Sequence, residues 1–189
     1  MSALRRWRHA ELTRIAWRDL AGWASLAETL TDLSNAADVA LRSAHDFAWQ
    51  VLAERHGAPA DANESARGLL IVAMGKLGGQ ELNFSSDVDL VFLFAAHGET
   101  GGARAISYEE FYTRLGQMLI RLVDAATADG RAWRVDMRLR PFGASGPLVA
   151  SVAAFEDYLE RQGRDWERYA WIKARALTEP ELFAEVFRS

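Results

Sequence analysis

GKLGGQELNFSSDVDLVFLF, residues 75–94, begins as a glycine-rich turn and ends in an apolar run with no charge in its last five positions. Residues 88–94 read as a buried strand, and LLIVAM at 69–74, bounded by glycines, reads as a second. Asp87 and Asp89 stand two apart where the later strand begins. Strand geometry sends both carboxylates to one face and turns Val88 and Leu90 into the core. Like charges at the edge of an apolar layer repel and tend to take up a proton, and a divalent cation relieves both problems. The plainer alternative is a solvated pair closing a turn.

Half of the 189 residues are hydrophobic and seven are tryptophan, ample material for a packed core. A formal charge of −4 argues against nucleic acid as the main partner. The absence of cysteine excludes a disulfide framework and cysteine-ligated zinc, and fits a reducing compartment. Neither a membrane span nor a signal peptide is readable, so the expectation is a cytoplasmic protein.

Residues 1–56 read as helix, with Val39, Ala40, Ala44, Phe47, Ala48 and Val51 as an apolar stripe and Gly57 as the stop. HGAPADANESARG at 56–68 is the linker candidate, and HGETGGARA after the second strand reads as a surface loop. Ser107 and Glu110 have capping-box spacing. They open a helix whose stripe is Tyr108, Phe111, Leu115, Leu119, Leu122 and Ala126, ending at Gly130. WRVDMRL at 133–139 alternates as a strand, with Arg134, Asp136 and Arg138 on its polar face. The chain from 151 onward reads as two or three helices broken at Gly163 and Pro180. This order predicts an α+β fold, a small mixed sheet flanked by helices. The divisions are an N-terminal helical segment and linker at 1–66, a core at 67–150 and a C-terminal helical segment at 151–189.

A third carboxylate from a neighbouring strand, Asp136, is what a site holding two ions ~3.5–4 Å apart requires. The alternative is a surface residue paired with Arg134 or Arg138. The turn GKLGG at 75–79, with a short helix expected near 80–82, offers uncovered backbone N–H groups to phosphate. It is neither a P-loop nor G-x-G-x-x-G. Lys76, Arg138 and Arg140 are phosphate candidates, arginine through planar two-point contacts. Trp166, Tyr169, Trp171 and Ile172 read as helical core, with Lys173 and Arg175 as surface charge. The four histidines show no ligand spacing.

The glycines, the D-x-D at a strand start and the later lone aspartate resemble the nucleotidyltransferase superfamily of DNA polymerase β type. GKLGGQELNFSSDVDLVF, RVDMRLRPFGASGPL and QGRDWERYAWIKAR together resemble the bifunctional glutamine synthetase adenylyltransferase/adenylyl-removing enzymes. These blocks span residues 75–175 in the right order. That family carries two related halves in a much longer chain, so a single D-x-D implies a fragment or one half. Met137 and Trp166-Glu167-Arg168 resemble the adenylyl-removing half, where the adenylylating half tends toward Thr and Trp-Glu-His.

The resemblance implies a nucleotidyltransferase-type fold with Asp87, Asp89 and Asp136 as catalytic metal ligands for two Mg²⁺ or Mn²⁺ ions. It implies Gly75, Lys76, Gly78, Gly79, Ser86, Arg138 and Arg140 as nucleotide- and phosphate-binding residues. The implied reaction is phosphorolysis of AMP from a tyrosine of glutamine synthetase, giving ADP. Glutamine synthetase is the implied protein partner, with a PII-type signalling protein as a further one. Two other readings stay open: the adenylylating direction with ATP, and an inert module that docks glutamine synthetase or PII.

Overall fold

The computed structural model describes residues 2–59 and 68–187. The linker expected at 56–68 falls mostly outside them. Among the described residues the elements run α1 (Ser2–Leu20), α2 (Leu26–His56), β1 (Leu70–Ala73), α3 (Gly75–Gly78), β2 (Val88–Phe94) and α4 (Tyr108–Asp124). They continue with β3 (Val135–Asp136), β4 (Val149–Ser151), α5 (Val152–Arg161), α6 (Asp165–Ala170), β5 (Arg175–Ala176) and α7 (Pro180–Val186).

The sheet is mixed and centres on β2. One edge of β2 pairs antiparallel with β1, in register Ala73↔Leu90, and β1 pairs antiparallel with β5. The other edge carries two short parallel partners end to end, β3 beside Val88 and Asp89, and β4 beside Phe92 to Phe94. Both faces of the sheet are covered. Ile71, Val88, Leu90 and Phe92 share a core with α1, α2 and α4, while Val72, Val91 and Leu93 pack with α5 and α7. Burial on both sides explains why β1 and β2 read as continuous apolar runs instead of alternating.

The helical reading of 1–56 holds with a break at 21–25, where Ser25 and Glu28 form a reciprocal cap that starts α2. Its buried face differs from the expected stripe. Leu33, Ala37, Ala40, Leu41, Ala44, Ala48 and Leu52 turn inward, whereas Val39, Phe47 and Val51 are exposed. The small alanines let α2 lie close to its neighbours, and that close approach outweighs the larger apolar side chains on the opposite flank.

In α4, Ser107 Oγ accepts from Glu110 N, but the Glu110 carboxylate pairs with Arg114, so half of the expected box forms. The helix stops at Asp124, leaving Ala126 exposed; Arg5, buried on α1, donates to the Leu122 and Ala125 carbonyls at that end. Gly130 closes a separate turn with Thr127. The strand expected at 133–139 pairs only over Val135–Asp136. Trp133 and Met137 alternate into the core as read. Beyond Met137 the chain turns away, tied by Arg140 donating to the carbonyls of Met137, Ala144 and Gly146.

The C-terminal part keeps its breaks near Gly163 and Pro180 and adds β4 and β5, which alternation did not reveal in so few residues. Trp166, Tyr169 and Ile172 correct the core expectation, being 54%, 71% and 74% exposed. Of that group Trp171 packs inward, against Phe155 and Phe187. Among the described residues no helix is long and apolar enough to cross a membrane.

Candidate active site

Asp89 lies at the start of β2 on the same face as Val91 and Leu93, just before the layer of α5 and α7 covers that face. The parallel pairing of β2 with β3 puts Asp136 directly opposite it, and Asp87 immediately precedes the strand. Residues 47 apart in sequence therefore become neighbours through one two-residue ladder. The Asp89 carboxyl is pushed above its ordinary value, first by burial and then by the charges of Asp136 and Asp87, with Arg138 and Lys76 pulling the other way.

The two outer carboxylates are held by arginines. Arg138 donates to Asp136 through its backbone N (2.8 Å) and through Nε (2.7 and 3.0 Å), which draws the Asp136 carboxyl below the ordinary range. Asp87 Oδ1 forms an ion pair with Arg134 Nε, without hydrogen-bond alignment. With Asp87 and Asp136 so engaged, no three acidic or histidine groups among the described residues are gathered to hold a metal as they stand. The donor chemistry still suits a hard cation. Asp89 is the unneutralised member, and the arginine on Asp136 is itself 80% exposed, so water and a cation can both replace it at little net cost.

The glycine-rich stretch is itself α3, a single helical turn, and no helix follows at 80–82; Gln80 instead takes a left-handed conformation. Gly75 is required twice over. Its φ is +54°, and a Cβ there would lie 2.8 Å from Asp89 Oδ2. Gly78 serves packing, since a Cβ would lie 2.0 Å from the Lys173 carbonyl oxygen. Gly79 faces the Lys173 side chain. Lys76 reaches Ser86 Oγ at 3.5 Å, beside the carboxylates. Thus Gly75, Lys76, Ser86, Arg138 and the three aspartates come together. Gly78 and Gly79 are turned to the 173 segment, and the Arg140 guanidinium, bonded to loop carbonyls, lies near enough for its charge to help draw the Asp136 carboxyl down.

Two features escaped the sequence reading. Arg175, expected as surface charge, forms a two-point pair with buried Asp38 (2.7 and 3.0 Å) and donates to the carbonyls of Leu77 and Gly78 at 3.0 and 3.3 Å. It ties α2 and β5 to the end of α3, and so fixes the turn beneath Asp89. No local signal links positions 38 and 175. Next to Arg138 opens a cleft of about 410 Å³ lined also by Phe142, Tyr158, Arg164 and Trp166. Phe142 is left-handed (φ 61°) and its ring lies 4.5 Å from that of Tyr158.

The sequence profile of the glutamate-ammonia ligase adenylyltransferase family matches residues 1–188. The chain belongs to the glutamate-ammonia ligase adenylyltransferase family. Relatives carry the name bifunctional glutamine synthetase adenylyltransferase/adenylyl-removing enzyme. The one from Thioalkalivibrio sulfidiphilus is 53% identical over 190 residues, covering 100% of this chain and 20% of its own length. That from Shewanella woodyi is 50% identical over 98% of this chain and 20% of its own, and that from Stenotrophomonas maltophilia K279a 51% over 92% and 19%. The chain thus spans about one-fifth of the length of the adenylyltransferase relatives it matches. In this chain Asp87, Asp89, Asp136 and Arg138 are gathered around the β2–β3 ladder.

Proposed function

We propose that this chain is a metal-dependent nucleotidyl-transfer unit that removes AMP from a tyrosine of glutamine synthetase by phosphorolysis, giving ADP. The observation that supports this most is the cross-strand pair Asp89–Asp136 with Asp87 alongside, linked through Arg138 to a cleft lined by three aromatic side chains. Two or more carboxylates facing each other at the end of a buried strand are costly unless a cation shares them.

Asp89 and Asp136, joined by Asp87, would hold the ion or ions, Mg²⁺ or Mn²⁺. A cation bound there supplies positive charge against that developing on the phosphoryl oxygens. The chain's own groups do the rest. Arg138, released from Asp136, and Lys76 hold the adenylyl phosphate against the carboxylates. Phe142 and Trp166 present flat faces at which a base can stack. An oxygen of inorganic phosphate forms a bond to the adenylyl phosphorus as the bond from phosphorus to the tyrosine oxygen breaks. The electron pair goes to the phenolate, whose ordinary pKa is about 10. The relatives' names cover both directions, and the residues at Met137 and 166–168 favour removal.

The test is ADP formation from adenylylated glutamine synthetase and inorganic phosphate, alongside ATP-dependent labelling of the unmodified protein. Asp89→Asn and Asp87→Asn should reduce ADP formation to background with the fold intact. Native activity in either variant refutes the assignment. Labelling without ADP formation assigns the opposite direction. If ADP fails to bind at millimolar Mg²⁺, the chain is a docking module for glutamine synthetase or a PII-type protein.

A further inference from the structure

The apolar corner of Trp17, Leu20 and Trp23 and the patch of Tyr169 and Ile172 are exposed, but nothing in the structure says what covers them. A cleft of about 290 Å³ opens on the Asp87 side, reached through Arg134.

Three arginines line this cleft, Arg8 from α1, Arg131 and Arg134, together with Ser85, Ser86 and Trp133; among the described residues no acidic side chain does. In a chain of net charge −4 this concentration of guanidinium groups is a local exception. Arg131 is paired outside the cleft with Asp124, and Arg134 with Asp87 and the Ser85 carbonyl. Arg8 lies over the Trp133 ring, 5.2 Å from its centre, and its Nε is buried without a hydrogen-bond partner. An anion seated in the cleft would meet three guanidinium groups, each able to offer planar two-point contacts. Burial also draws the Arg8 pKa downward, the electrostatic counterpart of that missing partner.

We infer that the Arg8–Arg131–Arg134 cleft is a binding site for a phosphate-group anion, positioned beside Asp87 by the shared Arg134. This deepens the function proposed above and rests on it for its meaning. One cleft shares Arg138 with Asp136 and the other shares Arg134 with Asp87. A phosphate in the second would stand on the Asp87 side of the carboxylates, and an adenylyl group in the first on the Asp136 side. The site would be the entry point of inorganic phosphate, formed in part by a helix that precedes the sheet in sequence.

The experiment is a titration of the ¹⁵N-labelled chain, followed at the Trp133 indole N–H, with inorganic phosphate, ADP, and sodium chloride at equal ionic strength. Phosphate should move the resonance saturably. Arg8→Gln should weaken that binding about tenfold, the loss of one charge-assisted contact pair, and Arg8→Lys should weaken it less because it keeps the charge but not the planar fork. An Arg8-dependent shift with phosphate identifies the free anion as occupant; one with ADP alone identifies a nucleotide phosphate. The inference is overturned if neither probe moves Trp133, if chloride moves it equally, or if Arg8→Gln binds with native affinity. Should Arg8→Gln not fold, the native titration and the Arg8→Lys variant still decide. The readout is binding in the absence of glutamine synthetase, so it stands or falls separately from turnover. Asp89→Asn, inactive under the proposed function, should still bind phosphate here.

Discussion

Replacing Asp89 with asparagine should stabilise the fold at neutral pH while abolishing the proposed chemistry. The carboxylate is half-buried, stands opposite Asp136 and next to Asp87, and its pKa is raised chiefly by burial and then by those two charges. Asparagine keeps the shape and removes the charge. Relief of one like-charge pair directly across neighbouring strands is worth roughly 0.2–1 kcal/mol. Escape from the burial penalty adds to this, and loss of attraction to Arg138 and Lys76 subtracts. A net gain of about 1 kcal/mol corresponds to a rise in Tm of about 2–4 °C for a chain of this size.

The sign with pH follows from linkage. A carboxyl whose folded pKa is raised destabilises the fold wherever it must ionise, so the penalty is fully present above its raised folded value. The penalty fades as pH falls through that value and is gone below the unfolded value of about 3.9. The advantage of Asp89→Asn should therefore grow as pH rises through the raised folded value and vanish in acid. Calorimetry of both proteins across this range, with and without Mg²⁺, is the assay. Mg²⁺ should raise the native Tm and raise that of the variant less. A variant less stable than the native chain at pH 7, or a difference independent of pH, refutes the picture of a strained carboxylate awaiting a cation.

Three further outcomes follow from the packing. Arg175→Met leaves buried Asp38 without its partner and should cost about 3 kcal/mol in urea unfolding, with partial recovery when Asp38→Leu is added. Gly78→Ala forces a Cβ against the Lys173 carbonyl and should cost about 3 kcal/mol or more, lowering the urea midpoint without changing its slope. Phe92→Ala, in the middle of β2 at 1% exposure, should cost about 3–5 kcal/mol by the same measurement.

The two central strands, the aspartates at the mouth of the second and the helix opening at Ser107 were legible because each rests on chemistry local in sequence. Runs of apolar residues, spacing of two on a strand and a hydroxyl before an apolar stripe all act within a few residues. The chain's own residues also carried the family likeness, since the motif blocks are contiguous words. Tertiary structure alone decided which flank of α2 turned inward, because alanine wins there by permitting close approach, a property of the neighbour as much as of the helix. It alone shortened 133–139 to one two-residue ladder, and in doing so set Asp136 opposite Asp89. It alone brought Arg175 to Asp38 and Arg8 to Trp133, pairs separated by more than a hundred residues. Ion pairs and ring contacts at that separation depend on how whole elements pack, and no pattern within a short window of sequence carries that information.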